Sequence, residues 1–191
     1  MPLLNSAPPV FESLRSALGA GVLSVQNMQG REAVVVDASV WLGAVRFLKG
    51  QGYDLLVDLS AADYSGYPGH QGDPLCVSLQ LLGTLNRRRA WLKVYLPLDG
   101  AKLATLSDEF ACANWYEREC WDMFGVVFEG HPHLKRLLLY EEFQGHPMRK
   151  DYPILKSQPL IPMRNAVDYE SVAVARRKER ADDAKSGASK V

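Results

Sequence analysis

The order and spacing of its β-rich runs constrain this fold more than any other feature of the sequence. GVLSVQ (21–26) and REAVVVD (31–37) are separated only by Asn27 to Gly30, the spacing of a hairpin. YDLLVDLSAADY, PLCVSLQLLG and AWLKVYLPL follow between residues 53 and 98, and TLNRRR joins the last two. A connection that short implies antiparallel pairing, because a parallel crossover needs roughly a dozen residues or more. Helical spacing occurs in FESLRSAL, where Phe11, Leu14 and Leu18 precede a stop at Gly19. It recurs in SVWLGAVRFLKGQG, with Ser39 as the expected N-cap, Leu42, Val45 and Leu48 on one face, and Gly50 at the stop. No long βαβ unit repeats. The expected class is α+β, a mostly antiparallel sheet with helices packed on one face.

At 191 residues the chain can bury a sizeable core without a disulfide or metal staple. Lysine plus arginine and aspartate plus glutamate both number 22, so nothing in the overall charge favours nonspecific nucleic-acid binding. Cys76, Cys112 and Cys120 are odd in number and form no CxxC pair, which suits a reducing compartment. The longest apolar candidate for a membrane span, VWLGAVRFL, is short and contains Arg46. The start, MPLLNSAPPVFESLRSALG, lacks a basic n-region and a long apolar core. A cytoplasmic location is expected, and it permits peripheral attachment to a membrane complex. YSGYPGHQGDP reads as a surface loop whose isolated His70 is solvated. Residues 1–152 are expected to form the α+β domain. From about 153 the proline-bearing, increasingly charged sequence reads as an extended tail that needs another surface, disordered alone from about 176.

The chemistry-bearing residues lie between 114 and 151. NWYERECWDMFG has helix ends: Asn114 as N-cap, Glu117 placed for a capping box, and Gly125 at C′. At 100° per residue, Tyr116, Cys120, Met123 and Phe124 share one side, and Arg118, Glu119 and Asp122 the other. Arg118 precedes Asp122 by one turn, so an ion pair between them is expected. The charged side can be a solvated face, a docking face or acid/base machinery. Downstream, EGHPHLKR (129–136) and QGHPMRKD (144–151) repeat a Gly-His-Pro corner. In such a corner glycine permits unusual backbone angles and proline restricts the residue before it, so each aims its histidine rigidly. A short helical turn carrying Leu134, Leu137 and Leu138 is expected between them.

Zinc chemistry by His131, His133, His146 and Glu119 has the right ligand types, but CxxC and HExxH spacings are absent. Serine-hydrolase, phosphate-loop and iron–sulfur motifs are also absent, and Cys120 sits on the apolar side of its helix. A rigid, polar, corner-rich string without catalytic spacing points to a surface shaped for a protein partner.

Residues Ala113 to Ile154, ANWYERECWDMFGVVFEGHPHLKRLLLYEEFQGHPMRKDYPI, closely resemble the signature of the 30-kDa subunit family of respiratory complex I. The match falls on Glu117, Arg118, Glu119, Asp122, Met123, Gly125, Gly130, His131, Pro132, Leu134, Gly145, His146, Pro147, Arg149, Lys150, Asp151 and Pro153. Arg136 lies within the first Gly-His-Pro segment. His133 stands where the family usually has aspartate, and Lys135 where it has arginine. The resemblance implies a peripheral-arm subunit of a proton-translocating NADH-quinone oxidoreductase, without catalysis or cofactor of its own. FMN and iron–sulfur clusters are expected in other subunits. It implies docking on the 49-kDa-type subunit, beside other peripheral-arm subunits, at the cytoplasmic side of the cell inner membrane. The matched charged and corner residues would form or brace that interface. An equivalent subunit of a membrane-bound hydrogenase, or of a dehydrogenase with another donor, would carry the same signature.

Overall fold

The computed structural model describes residues 9–28 and 31–160, and its elements lie in the compact unit that ends at Gln158. Helix α1 (Val10–Leu18) leads into strands β1 (Val22–Met28) and β2 (Arg31–Val36). Helix α2 (Trp41–Gly50), β3 (Leu55–Asp63), β4 (Leu75–Leu82) and β5 (Arg89–Leu96) follow. The short strands β6 (Lys102–Ala104) and β7 (Val127–Glu129) bracket helix α3 (Ala113–Phe124).

The five long strands form one sheet in the order β1-β2-β5-β4-β3. The β1–β2 and β4–β5 hairpins are antiparallel, as their short connections require, and β3 is antiparallel to β4. The join between the two halves is different: β2 runs parallel to β5, with Ala33 opposite Trp91. The intervening α2–β3–β4 segment supplies a crossover long enough for that geometry. β6 and β7 make a separate parallel pair.

Alternation along the strands assigns the two faces. Leu75, Val77, Leu79 and Leu81 of β4, with Ala90, Leu92, Val94 and Leu96 of β5, point into the core. Leu14 of α1, Trp41, Val45 and Leu48 of α2, and Cys120 and Phe124 of α3 are buried in the same cluster. Full burial of each large side chain is worth about 1.5–3 kcal/mol relative to exposure, which holds the helices on this face. The other face carries Gln26, Trp91, Lys93 and Tyr95; Lys93 Nζ and Tyr95 Oη both donate to Gln26 Oε1.

Local details depart from expectation in three places. The turn entering α2 is capped by Asp37, not Ser39: the Asp37 carboxylate accepts from both the backbone N–H and the hydroxyl of Ser39. His70 is stacked on Tyr64, with centroids 5.3 Å apart, and lies 5.4 Å from Tyr95, so the loop is anchored by rings rather than solvated there. Residues 134–138 form no helical turn. Beyond Tyr152 the chain turns back: Lys156 Nζ and Gln158 Nε2 both donate to the Gln144 carbonyl. The expected behaviour of the tail past residue 160 lies outside the described residues.

Candidate functional site: a corner-rich surface pinned to helix α3

Most of the charge on α3 is buried, Glu119 excepted. Glu117 and Asp122 have no exposed surface and Arg118 is 9% exposed. Of the expected polar side, Arg118 and Asp122 face the coil of residues 130–152 instead of water, and Glu119 stays exposed. Because desolvation penalises unpaired charge, each of the buried groups must find a partner inside the fold.

Asp122 is the hub. Its Oδ1 accepts from Arg136 Nη1 at 2.7 Å, and its Oδ2 accepts from three successive backbone amides, Leu137, Leu138 and Leu139, at 2.8–3.0 Å. This cradle occupies the place of the expected helical turn: the amides point at a carboxylate instead of bonding along the chain. The expected Arg118–Asp122 pair is therefore overturned. Asp122 takes its cation from fourteen residues downstream, while Arg118 donates to the carbonyls of Lys135 and Arg136 and lies 5.0 Å from the Trp115 ring centroid. Burial opposes ionisation of Asp122, but the Leu139 amide, Arg136 and the other two amides together hold its carboxyl below the usual range.

Arg136 extends the network. Its Nη2 donates to the carbonyls of Phe143 and Gly145 at 2.6 and 3.1 Å, and its guanidinium lies 5.5 Å from the ring centroids of Trp121 and Phe143. One planar fork thus ties α3 to the entry of the second corner.

The two Gly-His-Pro corners do parallel work. Gly130 and Gly145 adopt φ of 85° and 97°, angles that disfavour any side chain. His131 Nε2 donates to the Asn114 carbonyl, and its Nδ1 accepts from the His133 backbone N–H, which fixes the neutral Nε2–H tautomer. His146 Nδ1 donates to the Asp122 carbonyl. Each corner therefore aims a histidine at a backbone carbonyl of α3. Burial lowers the pKa of both histidines and outweighs these hydrogen bonds. At Gly125 (φ 80°), where α3 ends, an added Cβ would sit 2.7 Å from His146 Cδ2, so the absence of a side chain lets the second corner close against the helix.

Glu117 does not complete a capping box. It accepts instead from Thr105 Oγ1 and the Leu106 N–H at 2.5 Å each. Burial pushes its carboxyl up to about 7, with those hydrogen bonds opposing the rise and Asp108 adding to it. Arg149 donates to the Leu98 carbonyl, and the Lys150 backbone N–H donates to Asp63 Oδ2 at 2.7 Å. Pro147 is half-buried, whereas Glu119, Pro132, Asp151 and the Lys150 side chain are exposed.

Thr105, Asp63, Phe143 and Leu98 complete these bonds, and sequence reading missed them all. Asp63 precedes a turn and could have been flagged as an acceptor; a backbone carbonyl such as Leu98 carries no side-chain signal. Among the described residues no group of three or more His, Cys, Asp or Glu is placed to hold a metal, so His131, His133, His146 and Glu119 do not gather into a site. Nor is any described helix long and apolar enough to cross a membrane. The pinned coil presents a shallow apolar groove of about 390 Å³, lined by Ala61, Cys120, Met123, Phe124, Leu138 and Met148, with Glu119 at its edge. Leu138 and Met148 are 62% and 55% exposed.

Comparison with known proteins gives these residues a context. Residues 34–158 match the family described as the respiratory-chain NADH dehydrogenase 30 Kd subunit. A subunit of the NADH-quinone oxidoreductase of Burkholderia ambifaria is 40% identical over 148 residues, 74% of each chain. Its counterpart from Burkholderia vietnamiensis is 39% identical over the same share. Among solved structures, a trypsin-resistant fragment of Nqo5 is similar with a TM-score of 0.57 and 30% identity, covering 64% of this chain and 97% of the fragment. A chain of an archaeal membrane-bound sulfane sulfur reductase, a respiratory membrane complex, gives 0.59 and 25%, covering 76% and 84%. The chain belongs to the family of the 30-kDa subunit of respiratory-chain NADH dehydrogenase.

Proposed function

We propose that this chain is a peripheral-arm subunit of a proton-translocating NADH-quinone oxidoreductase, serving as a scaffold that docks on the 49-kDa-type subunit through the surface pinned to α3. The observation that carries this reading is the fate of the signature charges. Glu117, Arg118, Asp122 and Arg136 are spent on backbone amides and carbonyls, the Thr105 hydroxyl and one another, leaving none as a free acid, base or nucleophile. What they hold in place is an irregular coil offering exposed Leu138 and Met148, the kind of rigid apolar surface that suits a protein partner. On this reading the chain brings no cofactor, and FMN and iron–sulfur clusters reside in other subunits. It is peripheral, on the cytoplasmic side of the cell inner membrane, and attached through the complex.

Affinity-tagged chain isolated from its native cells in mild detergent should carry the 49-kDa-type subunit. Leu138→Asp and Met148→Asp should release it without lowering the melting temperature of the isolated chain. Failure of the wild-type chain to bring down that subunit would sink the proposal. A second reading, the equivalent subunit of a sister complex with another electron donor, is favoured by the similarity to the sulfane sulfur reductase chain. NADH oxidation by the purified complex separates the two.

A further inference from the structure

A recess of about 660 Å³ opens where β2 and β5 begin, away from the groups that pin the corners. Arg31, Arg87, Arg88 and Arg89 line it, and Glu32 is the one carboxylate among the described lining residues. The β2–β5 register pairs Ala33 with Trp91; carried back two residues, it sets Arg31 abreast of Arg89 on neighbouring strands. Like charges side by side in a sheet repel. Among the described residues no carboxylate lies within ion-pair distance of Arg31, Arg87 or Arg89.

The loop that carries Arg87 has an unusual backbone. Arg87 has φ 55°, the only non-glycine residue with positive φ among those described. Glycine or asparagine would hold that angle more cheaply, so an arginine there is kept against its backbone preference. The loop is also rigid. Arg87 N–H donates to the Gly83 carbonyl, Gly83 N–H to the Arg88 carbonyl, and Thr84 binds the Asp54 carboxylate through both its N–H and its hydroxyl.

We propose that this recess binds a small anion bearing a phosphate or diphosphate group, with Arg31, Arg87 and Arg89 as guanidinium ligands. Guanidinium forks match phosphate oxygens bidentately, and a phosphate carries the charge density that several arginines require. The concave form and size suit a small ligand.

Isothermal titration of the full-length chain with inorganic pyrophosphate, at an ionic strength fixed with potassium chloride, should show saturable binding at one site. Arg87→Gly and Arg89→Gln should each weaken it about tenfold or more, the loss of a charge-assisted fork. Lys102→Gln, which removes the same charge elsewhere, should leave it unchanged. Arg87→Gly should also melt no lower than wild type, because glycine suits the angle, so its loss of binding cannot be misfolding. Absence of saturable heat, equal weakening by Lys102→Gln, or tighter binding of a glutamate-rich peptide than of pyrophosphate would each overturn the assignment.

Discussion

Asp122→Asn tests the hub most directly. The substitution keeps the side chain's shape and one acceptor oxygen for the Leu137–Leu139 amides, but it turns an N–H toward the Arg136 guanidinium. Breaking one partner out of a buried ion pair costs about 3–5 kcal/mol. Here the low end of that range or slightly less applies, because the Arg136 side chain is 11% exposed and keeps the carbonyls of Phe143 and Gly145, so roughly 2–4 kcal/mol is expected. For a chain of this size each kcal/mol lowers the melting temperature by about 2–4 °C, giving a fall on the order of 10 °C. Thermal unfolding followed by circular dichroism measures it, and hydrogen exchange at the Leu137–Leu139 amides reports whether the cradle opens locally. Double-mutant cycles then name the partner. Asp122 and Arg136 should couple by about 1–3 kcal/mol, whereas Asp122 and Arg118 should be close to additive. A melting temperature within about 1 °C of wild type, with those amides still protected, would refute the hub. So would a larger coupling to Arg118.

Acid should act on the same group: with its folded pKa depressed, Asp122 contributes fully above the ordinary carboxylate value of about 3.9, and that contribution is lost as pH falls toward the lower folded value. In Asp122→Asn the acid arm of the stability profile should flatten. Glu117 has the opposite sign. With its folded pKa raised to about 7, its contribution is complete below the ordinary value near 4.5 and is lost as pH rises to about 7, by up to about 3 kcal/mol; Glu117→Gln should remove that slope in urea titrations at stepped pH. Gly125→Ala should cost about 2–4 kcal/mol by thermal melting, since it forces a side chain into φ 80° and against His146. Arg118→Ala should lower the melting temperature of the isolated chain as well as impair assembly, because its guanidinium holds the Lys135 and Arg136 carbonyls inside the fold; an unchanged isolated chain would place its role wholly at the interface.

The elements of this fold were legible because they depend on near neighbours in sequence. β-rich runs, short turns and helical spacing made the β1–β2 and β4–β5 hairpins and the helices α1, α2 and α3 legible. The parallel β2–β5 contact was not legible, because nothing in either strand records that α2, β3 and β4 will be threaded around to bring them together. Ser39 was mistaken for a cap by the same preference for the nearest candidate: Asp37 bonds both the backbone and the hydroxyl of Ser39, and a sequence shows the residue types without the choice between them.

The site shows more sharply where local reasoning stops. A helical wheel assigns faces by polarity and assumes that water meets the polar one. For α3 that assumption fails at Arg118 and Asp122, which are covered by a coil whose own amides and carbonyls need partners. Once the coil lies there, an i,i+4 arginine is a weaker partner for Asp122 than three backbone N–H groups and a guanidinium arriving together, because buried amides without acceptors cost more than a surface pair returns. The clue was present in another form. Two rigid Gly-His-Pro corners flank LKRLLL, and corners expose backbone polar groups that must be satisfied. A helix rich in charge beside a segment rich in corners is therefore better read as a donor–acceptor match between side chains and backbone than as a ladder of salt bridges. On that reading the signature string encodes a shape, and its charges are the means by which an irregular segment is held as firmly as a strand.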